Sequence, residues 1–139
     1  MMIDLKSDYG RRVDRRLKEE AIIWLTTTGS DGTPQPRPVW FLWDGETFLI
    51  YSRPGTAKLR HIEANPGVAL NLDSDGSGGD IVIMIGRATI MKEQPTADEV
   101  QAYIEKYGWG IERINMTPAQ FTQTYTEAIK VKPLMLRGH

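Results

Sequence analysis

Hydrophobic and polar positions follow two different rhythms along this chain. In "GRRVDRRLKEEA", Val13 and Leu17 stand four residues apart among charges, the spacing of a short surface helix with a narrow apolar stripe. From residue 21 the rhythm changes. "AIIWLTTTG" is apolar and β-branched and ends at Gly29. After the turn "SDGTP" come "QPRPVWFLW", the pair Asp44-Gly45, and "ETFLIYSR". Asp-Gly between two such runs is a strong hairpin signal. Pro34, Pro36 and Pro38 confine the start of the second run to an edge or a bulge, because proline cannot donate to a ladder. "GVALNLDS" and "DIVIMIGRATIMK" read as further strands joined by "DSDGSGGD", and "EAIKVKPLMLRG" as the last.

Helices fall between the strands. Thr56 can cap one that ends before Asn65-Pro66, since the residue before proline disfavours the helical region. "TADEVQAYIEKYG" opens with a Thr-x-x-Glu capping box, closes on Gly108, and sets Val100, Tyr103, Ile104 and Tyr107 on one face. "TPAQFTQTY" carries Thr117, Pro118 at the first helical position and Gln120 as the box partner. The expected fold is therefore mainly β: about six strands, mostly antiparallel hairpins, forming a small barrel or sandwich with short helices at its edges.

Composition narrows this only slightly. The 139 residues suit one domain spanning 1–139, with 40% apolar and 25% charged residues. The net charge of −1 gives no general reason to bind nucleic acid, and the basic run near the N-terminus reads as a solvated face. There is no cysteine, so thiolate catalysis and zinc-thiolate sites are excluded. No run has the length of a membrane span, the N-terminus lacks a signal-peptide core, and a cytoplasmic protein is expected.

Little of the chain carries chemistry of its own. "DSDGSGGD" has glycines at positions 4, 6 and 7 and no Glu at 12, so it reads as a hairpin loop, not a calcium loop. The only histidines, His61 and His139, are far apart, and no G-x-S-x-G or H-E-x-x-H occurs. No metal site and no catalytic side chain is expected. If the protein is an enzyme, a bound cofactor carries the reaction.

The exception is "SRPGTAKLRHIEANP", residues 52–66. A two-residue Asp44-Gly45 loop would set Trp43 opposite Glu46, Phe41 opposite Phe48, Val39 opposite Ile50 and Arg37 opposite Ser52. The other face would carry Trp40, Leu49 and Tyr51. With both faces apolar, one would line the barrel and the other meet a partner, a hint of a dimer. Lys58 would lie in the first turn of the helix, where a cation opposes the dipole. An anion there reverses the sign, with Ser52, Thr56, Lys58 and Arg60 directed at it. The bland alternative is a set of solvated cations. Spacing alone leaves a nucleotide, a flavin phosphate or a sugar phosphate open as ligand.

The combination "PVWFLWDG…YSRPGTAKLRHI…NP" resembles the pyridoxamine-5′-phosphate-oxidase-like split β-barrel superfamily, and within it the flavin/deazaflavin oxidoreductases that use coenzyme F-420. The likeness runs from about Ala21 to Gly138. It implies a six-stranded antiparallel split β-barrel and a homodimer with cofactor sites at the interface. The phosphate end of the cofactor is expected on Ser52, Arg53, Thr56, Lys58 and Arg60. The ring is expected against Arg37, Pro38, Val39, Trp40 and the neighbouring Tyr51, with Trp109 reaching in from the other subunit. Coenzyme F-420 is the expected cofactor and FMN the alternative. The expected activity is hydride transfer to an unsaturated small molecule, with a non-catalytic carrier as a further alternative. Pyridoxamine phosphate itself is not the expected substrate, because only Arg137 stands where that enzyme has an Arg-rich C-terminal motif.

Overall fold

The computed structural model describes residues 3–139. Its elements run α1 (Asp8–Glu19), β1 (Ile23–Thr28), β2 (Pro34–Val39), β3 (Leu42–Trp43), β4 (Phe48–Ser52), α2 (Ala57–Ala64), β5 (Gly67–Asn71), β6 (Val82–Ile90), α3 (Ala97–Arg113), α4 (Pro118–Thr124) and β7 (Glu127–Gly138). The strands form one sheet in the order β2-β1-β5-β6-β7-β4-β3, antiparallel throughout. Its two end strands, β2 and β3, are separated in sequence only by Trp40 and Phe41. Three peptide units span at most about 11 Å, so opposite ends of the sheet must come together. The sheet curls on itself with a split at this joint.

Inside the curl, side chains alternate strictly. β6 is buried at every second position from Val82 to Ala88, and β1 at Ile23, Leu25 and Thr27. Phe41, Trp43, Phe48, Ile50, Ile129 and Val131 join them, and α1 and α2 cover this core with Val13, Leu17, Leu59 and Ile62. The basic face of α1 is partly tied down: Arg12 Nε donates to Asp80 (2.9 Å), and Arg16 donates to the carbonyls of Asp80 (2.6 Å) and Asp73 (2.8 Å).

Three expectations need correction. There are seven strands, because the run 35–43 breaks at Trp40-Phe41 into β2 and β3. The hairpin turn centres on Gly45 and Glu46: the Asp44 carboxylate accepts the N–H groups of Glu46 (2.8 Å) and Thr47 (2.7 Å), and Gly45 takes φ 95°. Trp43 therefore faces Phe48 and Leu42 faces Leu49. This two-residue slip keeps parity, so Phe41, Trp43, Phe48 and Ile50 still share the core face. Arg37, however, pairs with Leu25 of β1 and not with Ser52, which pairs with Glu127. Finally, the helix expected to close on Gly108 runs on to Arg113. Tyr103, Tyr107 and Ile111, at four-residue spacing, are all buried. Burial of about 1.5–3 kcal/mol per side chain outweighs about 1 kcal/mol for each helical glycine.

That longer helix also covers the face expected to meet a partner. Leu49 shares a second buried cluster with Tyr103, Tyr107, Ile111, Phe121 and Ala128, with Trp40, Leu42 and Tyr51 packed at its margin. Both capping boxes form as expected, at Thr96 with Glu99 and at Thr117 with Gln120.

Candidate functional site

The joint between β2 and β3 organises the site. Leaving the ladder at residue 41 frees a buried backbone N–H and C=O, which need partners. α3 supplies both. The Tyr107 hydroxyl accepts the Phe41 N–H (2.8 Å) and donates to the Ala21 carbonyl oxygen (2.7 Å). Lys106 Nζ donates to the Phe41 carbonyl (2.8 Å) and lies 3.7 Å from the Phe41 ring centroid. Burial pushes the Lys106 ammonium down to about 8 and the Tyr107 phenol well up. Held this way, Trp40 turns outward. Its ring stacks on Tyr107 at 4.6 Å and 6°, and lies 5.8 Å from Phe121. Gly110 makes room: a Cβ there would come within 2.7 Å of Trp40 Cζ2.

Beside Trp40 opens a cleft of about 240 Å³, lined by Pro38, Val39, Trp40, Tyr51, Lys58, Tyr103, Ile114, Phe121 and Tyr125. Five of the nine are aromatic. Tyr51 reaches it from the outer face of β4, edge-on to Tyr103 at 4.6 Å. Its hydroxyl oxygen is buried and has no hydrogen-bond partner, and burial pushes the phenol up to about 12. It is therefore a neutral donor waiting for an acceptor.

Next to this slot is a polar hollow of about 260 Å³ bounded by Arg37, Thr56, Ala57 and Lys58. The curl of the sheet brings Arg37 here, in place of the hairpin register expected from sequence. Ser52 Oγ donates to the Arg53 carbonyl (2.9 Å) and lies 2.9 Å from Thr56 Oγ1. Thr56 caps α2 by position only; its side chain makes no cap hydrogen bond, and no acidic residue stands in the first turn. Lys58 has its pKa lowered, by burial first and by Arg37 second. Among the described residues the cations of α1 pair with carboxylates at Arg11, Arg12, Arg16 and Lys18, as does Lys130 on β7. Arg37, Arg53, Lys58 and Arg60 make no such pair. Arg37 and Lys58, unpaired and close together at the N-terminal end of α2, make the hollow a place where an anion would be favoured over a further cation.

Eight of the eleven expected site residues gather at the split: Arg37, Pro38, Val39, Trp40, Tyr51, Ser52, Thr56 and Lys58. Arg53 lies at the rim with its guanidinium 5.3 Å from the Tyr125 ring centroid. Arg60 turns back to the Gly55 carbonyl (2.9 Å) and does not border the hollow. Trp109 is exposed on α3, 6.3 Å from the Trp40 ring, and does not line the cleft of its own chain. Sequence reasoning missed Tyr103, Ile114, Phe121 and Tyr125. The apolar face of α3 was visible, but not which strand it would meet. His61 bonds Thr27 Oγ1 through Nδ1 (2.9 Å). The 72–81 segment joins β5 to β6 as a hairpin loop, with Asp75 accepting the N–H groups of Ser77 and Gly79 (2.9 Å each).

The family model described as pyridoxamine 5′-phosphate oxidase matches residues 10–137. The chain belongs to this family. Among solved structures it is similar to one described as an F420 reductase, 26% identical with a TM-score of 0.63, covering 89% of this chain and 94% of that one. It is also similar to an FAD-binding protein from Mesorhizobium loti (15% identical, TM-score 0.66, 91% and 88% covered). A third is the heme storage protein of Vibrio cholerae (14% identical, TM-score 0.64, 98% and 95% covered). The last two likenesses are of fold. A search of the curated proteins finds no match. Among the described residues, no helix of this family member is long and apolar enough to cross a membrane.

Proposed function

We propose that the cleft holds a phosphorylated flavin-type cofactor, coenzyme F-420 with FMN as the alternative, and that the protein is a reductase acting on an unsaturated small molecule. One observation carries this reading. An aromatic slot and an unpaired cationic hollow adjoin across Lys58, which borders both. A flat apolar ring joined to a phosphate matches that pair, and the unpartnered Tyr51 hydroxyl supplies a donor for a ring heteroatom. The resemblance to an F420 reductase favours the deazaflavin.

When bound, such a cofactor supplies the hydride chemistry. The chain's residues do the rest. Arg37, Lys58 and Thr56 hold the phosphate, and the buried Ser52 hydroxyl positions Thr56 from behind (2.9 Å). Trp40 and Tyr51 orient the ring, while Tyr103, Phe121 and Tyr125 exclude water from the slot. Tyr51 stays protonated at neutral pH, so it positions by donating and does not act as a base. The assembly is a homodimer. Exposed Ile83, Ile85, Leu134 and Met135 on β6 and β7 offer an apolar surface for it, and sedimentation should give about twice the 15.7 kDa chain mass.

Titration of the purified protein with oxidised F-420 and with FMN tests the reading. Micromolar binding is expected. The double reversal Arg37→Glu with Lys58→Glu should weaken it about a hundredfold or more, since each charge-assisted contact contributes about 1.5–3 kcal/mol, while thermal unfolding is retained. Unchanged affinity would sink the phosphate assignment. Reduced cofactor with a panel of enones and quinones separates enzyme from carrier: turnover supports the reductase, and its absence leaves a carrier.

A further inference from the structure

Arg53 follows the last residue of β4, and its neighbours fix where it stands. Ser52 before it is buried and paired with Glu127 of β7. The Ser52 hydroxyl donates to the Arg53 carbonyl (2.9 Å). Pro54 after it disfavours the helical region at Arg53 and keeps that backbone extended. From this anchored backbone the side chain reaches the aromatic slot. Its guanidinium carbon lies 5.3 Å from the centroid of the Tyr125 ring, and Tyr125 lines the slot and stacks on Phe121 at 4.6 Å.

This position separates Arg53 from the other cations of its segment. The polar hollow is bounded by Arg37, Thr56, Ala57 and Lys58, and Arg53 is not among them. Arg60 is satisfied by the Gly55 carbonyl (2.9 Å). Among the described residues Arg53 makes no salt bridge, and its guanidinium donates to no protein acceptor. A guanidinium holds five N–H donors in a planar fork that fits a carboxylate bidentately. Resting over a ring holds the fork in place, so less side-chain freedom is lost when an acceptor arrives. None of the residues lining the slot or the hollow is acidic, so nothing there repels an anionic ligand.

We infer that Arg53 is a specificity residue for the substrate, and that the unsaturated substrate carries a carboxylate on a flat apolar framework. The inference rests on the cofactor reading above, in which Arg37 and Lys58 take the phosphate and leave Arg53 for a second anion. The flat framework lies against Tyr125 at the mouth of the slot, and the carboxylate meets the free edge of the guanidinium. The carboxylate is a handle and takes no part in the reaction. An enone gains a hydride at its β-carbon and a proton from water at its α-carbon, and the bound cofactor is left oxidised. A neutral analogue loses one exposed charge-assisted contact, about tenfold in affinity.

The test titrates the full chain, loaded with whichever oxidised cofactor it binds, with para-carboxybenzylideneacetone and with the matching carboxamide, by calorimetry at low salt. Wild type should bind the carboxylate about tenfold more tightly. Arg53→Gln should erase that preference, with the carboxamide and the cofactor each changed by less than about twofold. Arg53→Lys keeps the charge without the fork and should keep about a threefold preference. Equal affinities in wild type, or no binding of the carboxylate, overturn the inference. An equal loss of both ligands in Arg53→Gln also overturns it, since Arg53 would then only brace Tyr125. A weakened cofactor in that variant does the same, by returning Arg53 to the phosphate. If neither F-420 nor FMN binds wild type, the cofactor reading falls by itself. The same titrations of the unloaded chain, followed by tryptophan fluorescence, then decide the handle: an Arg53-dependent preference for the carboxylate sustains it, and no preference overturns it.

Discussion

Removing one oxygen atom at Tyr107 probes the joint that shapes the site. In Tyr107→Phe the Phe41 N–H, now 2.8 Å from the phenol oxygen, loses its partner in the core. Phe41 is fully buried, so water cannot replace it. An orphaned buried N–H costs about 1–3 kcal/mol. The Ala21 carbonyl also loses a donor, but Ala21 is half-buried and can turn to solvent, at roughly 0.5 kcal/mol against the usual net value of a hydrogen bond. The Phe41 carbonyl keeps Lys106. The sum is about 2–3 kcal/mol. At about 2.1 cal/mol/K per residue, unfolding this chain releases about 0.3 kcal/mol/K, so Tm should fall by about 7–10 °C. Thermal unfolding followed by far-ultraviolet circular dichroism reads the loss. Because the Trp40 ring stacks on Tyr107, near-ultraviolet dichroism of the folded variant should change as well. A fall of less than about 2 °C would show that the break at Phe41 is satisfied without Tyr107, and the account of the joint would be wrong.

Two further perturbations test α3. Gly108→Ala enters open space and should stabilise by about 0.5–1 kcal/mol through helix propensity, whereas Gly110→Ala drives a Cβ to 2.7 Å from Trp40 and should be net destabilising, with overpacking of about 1–3 kcal/mol exceeding the same gain; equal effects in urea denaturation would refute the Trp40 contact. Lys106 has a folded pKa of about 8, below its ordinary 10.5, so the folded state releases this proton first and stability should rise with pH between those values. The full shift would be worth about 3 kcal/mol; partial exposure reduces this to about 1–2 kcal/mol. Measured from pH 7.5 to 10, wild type should gain that amount relative to Lys106→Met, and a constant difference would contradict the shift.

Much of this fold could be read from local chemistry, because the signals were local. Both capping boxes lie within four residues, and both formed. The three prolines announced an edge strand, and β2 is one. Failures came where a distant contact outweighed a local preference. Gly108 argued for a helix end, but the aromatic stripe of α3 had a strand face to cover and the helix continued across it to Arg113. Asp44-Gly45 argued for a turn at those two residues, but the Asp44 carboxylate captured the two amides after Gly45 and moved the turn by one residue. Tyr103, Phe121 and Tyr125 were invisible as site residues for the same reason: their helices reach the cleft only after the sheet has curled.

Arg37, Thr56 and Lys58 meet at the cationic hollow by another route than the hairpin register expected from sequence, and the difference matters for how the cleft is built. In a simple hairpin, Arg37 and Ser52 would sit on paired strands with a ladder holding their separation. In the curled sheet they belong to opposite walls. Arg37 is anchored through β1, and Ser52 through β7. The only covalent link across the split on this side is Trp40-Phe41, and α3 holds that link through Tyr107 and Lys106. The width of the cleft is thus governed by a helix that also contributes Tyr103 to its lining and Gly110 to the seat of Trp40. Substitutions that loosen α3 should therefore weaken ligand binding even where they touch no ligand. Substitutions of equal destabilising effect in α1, whose Val13 and Leu17 pack into the far core, should lower Tm and leave affinity unchanged.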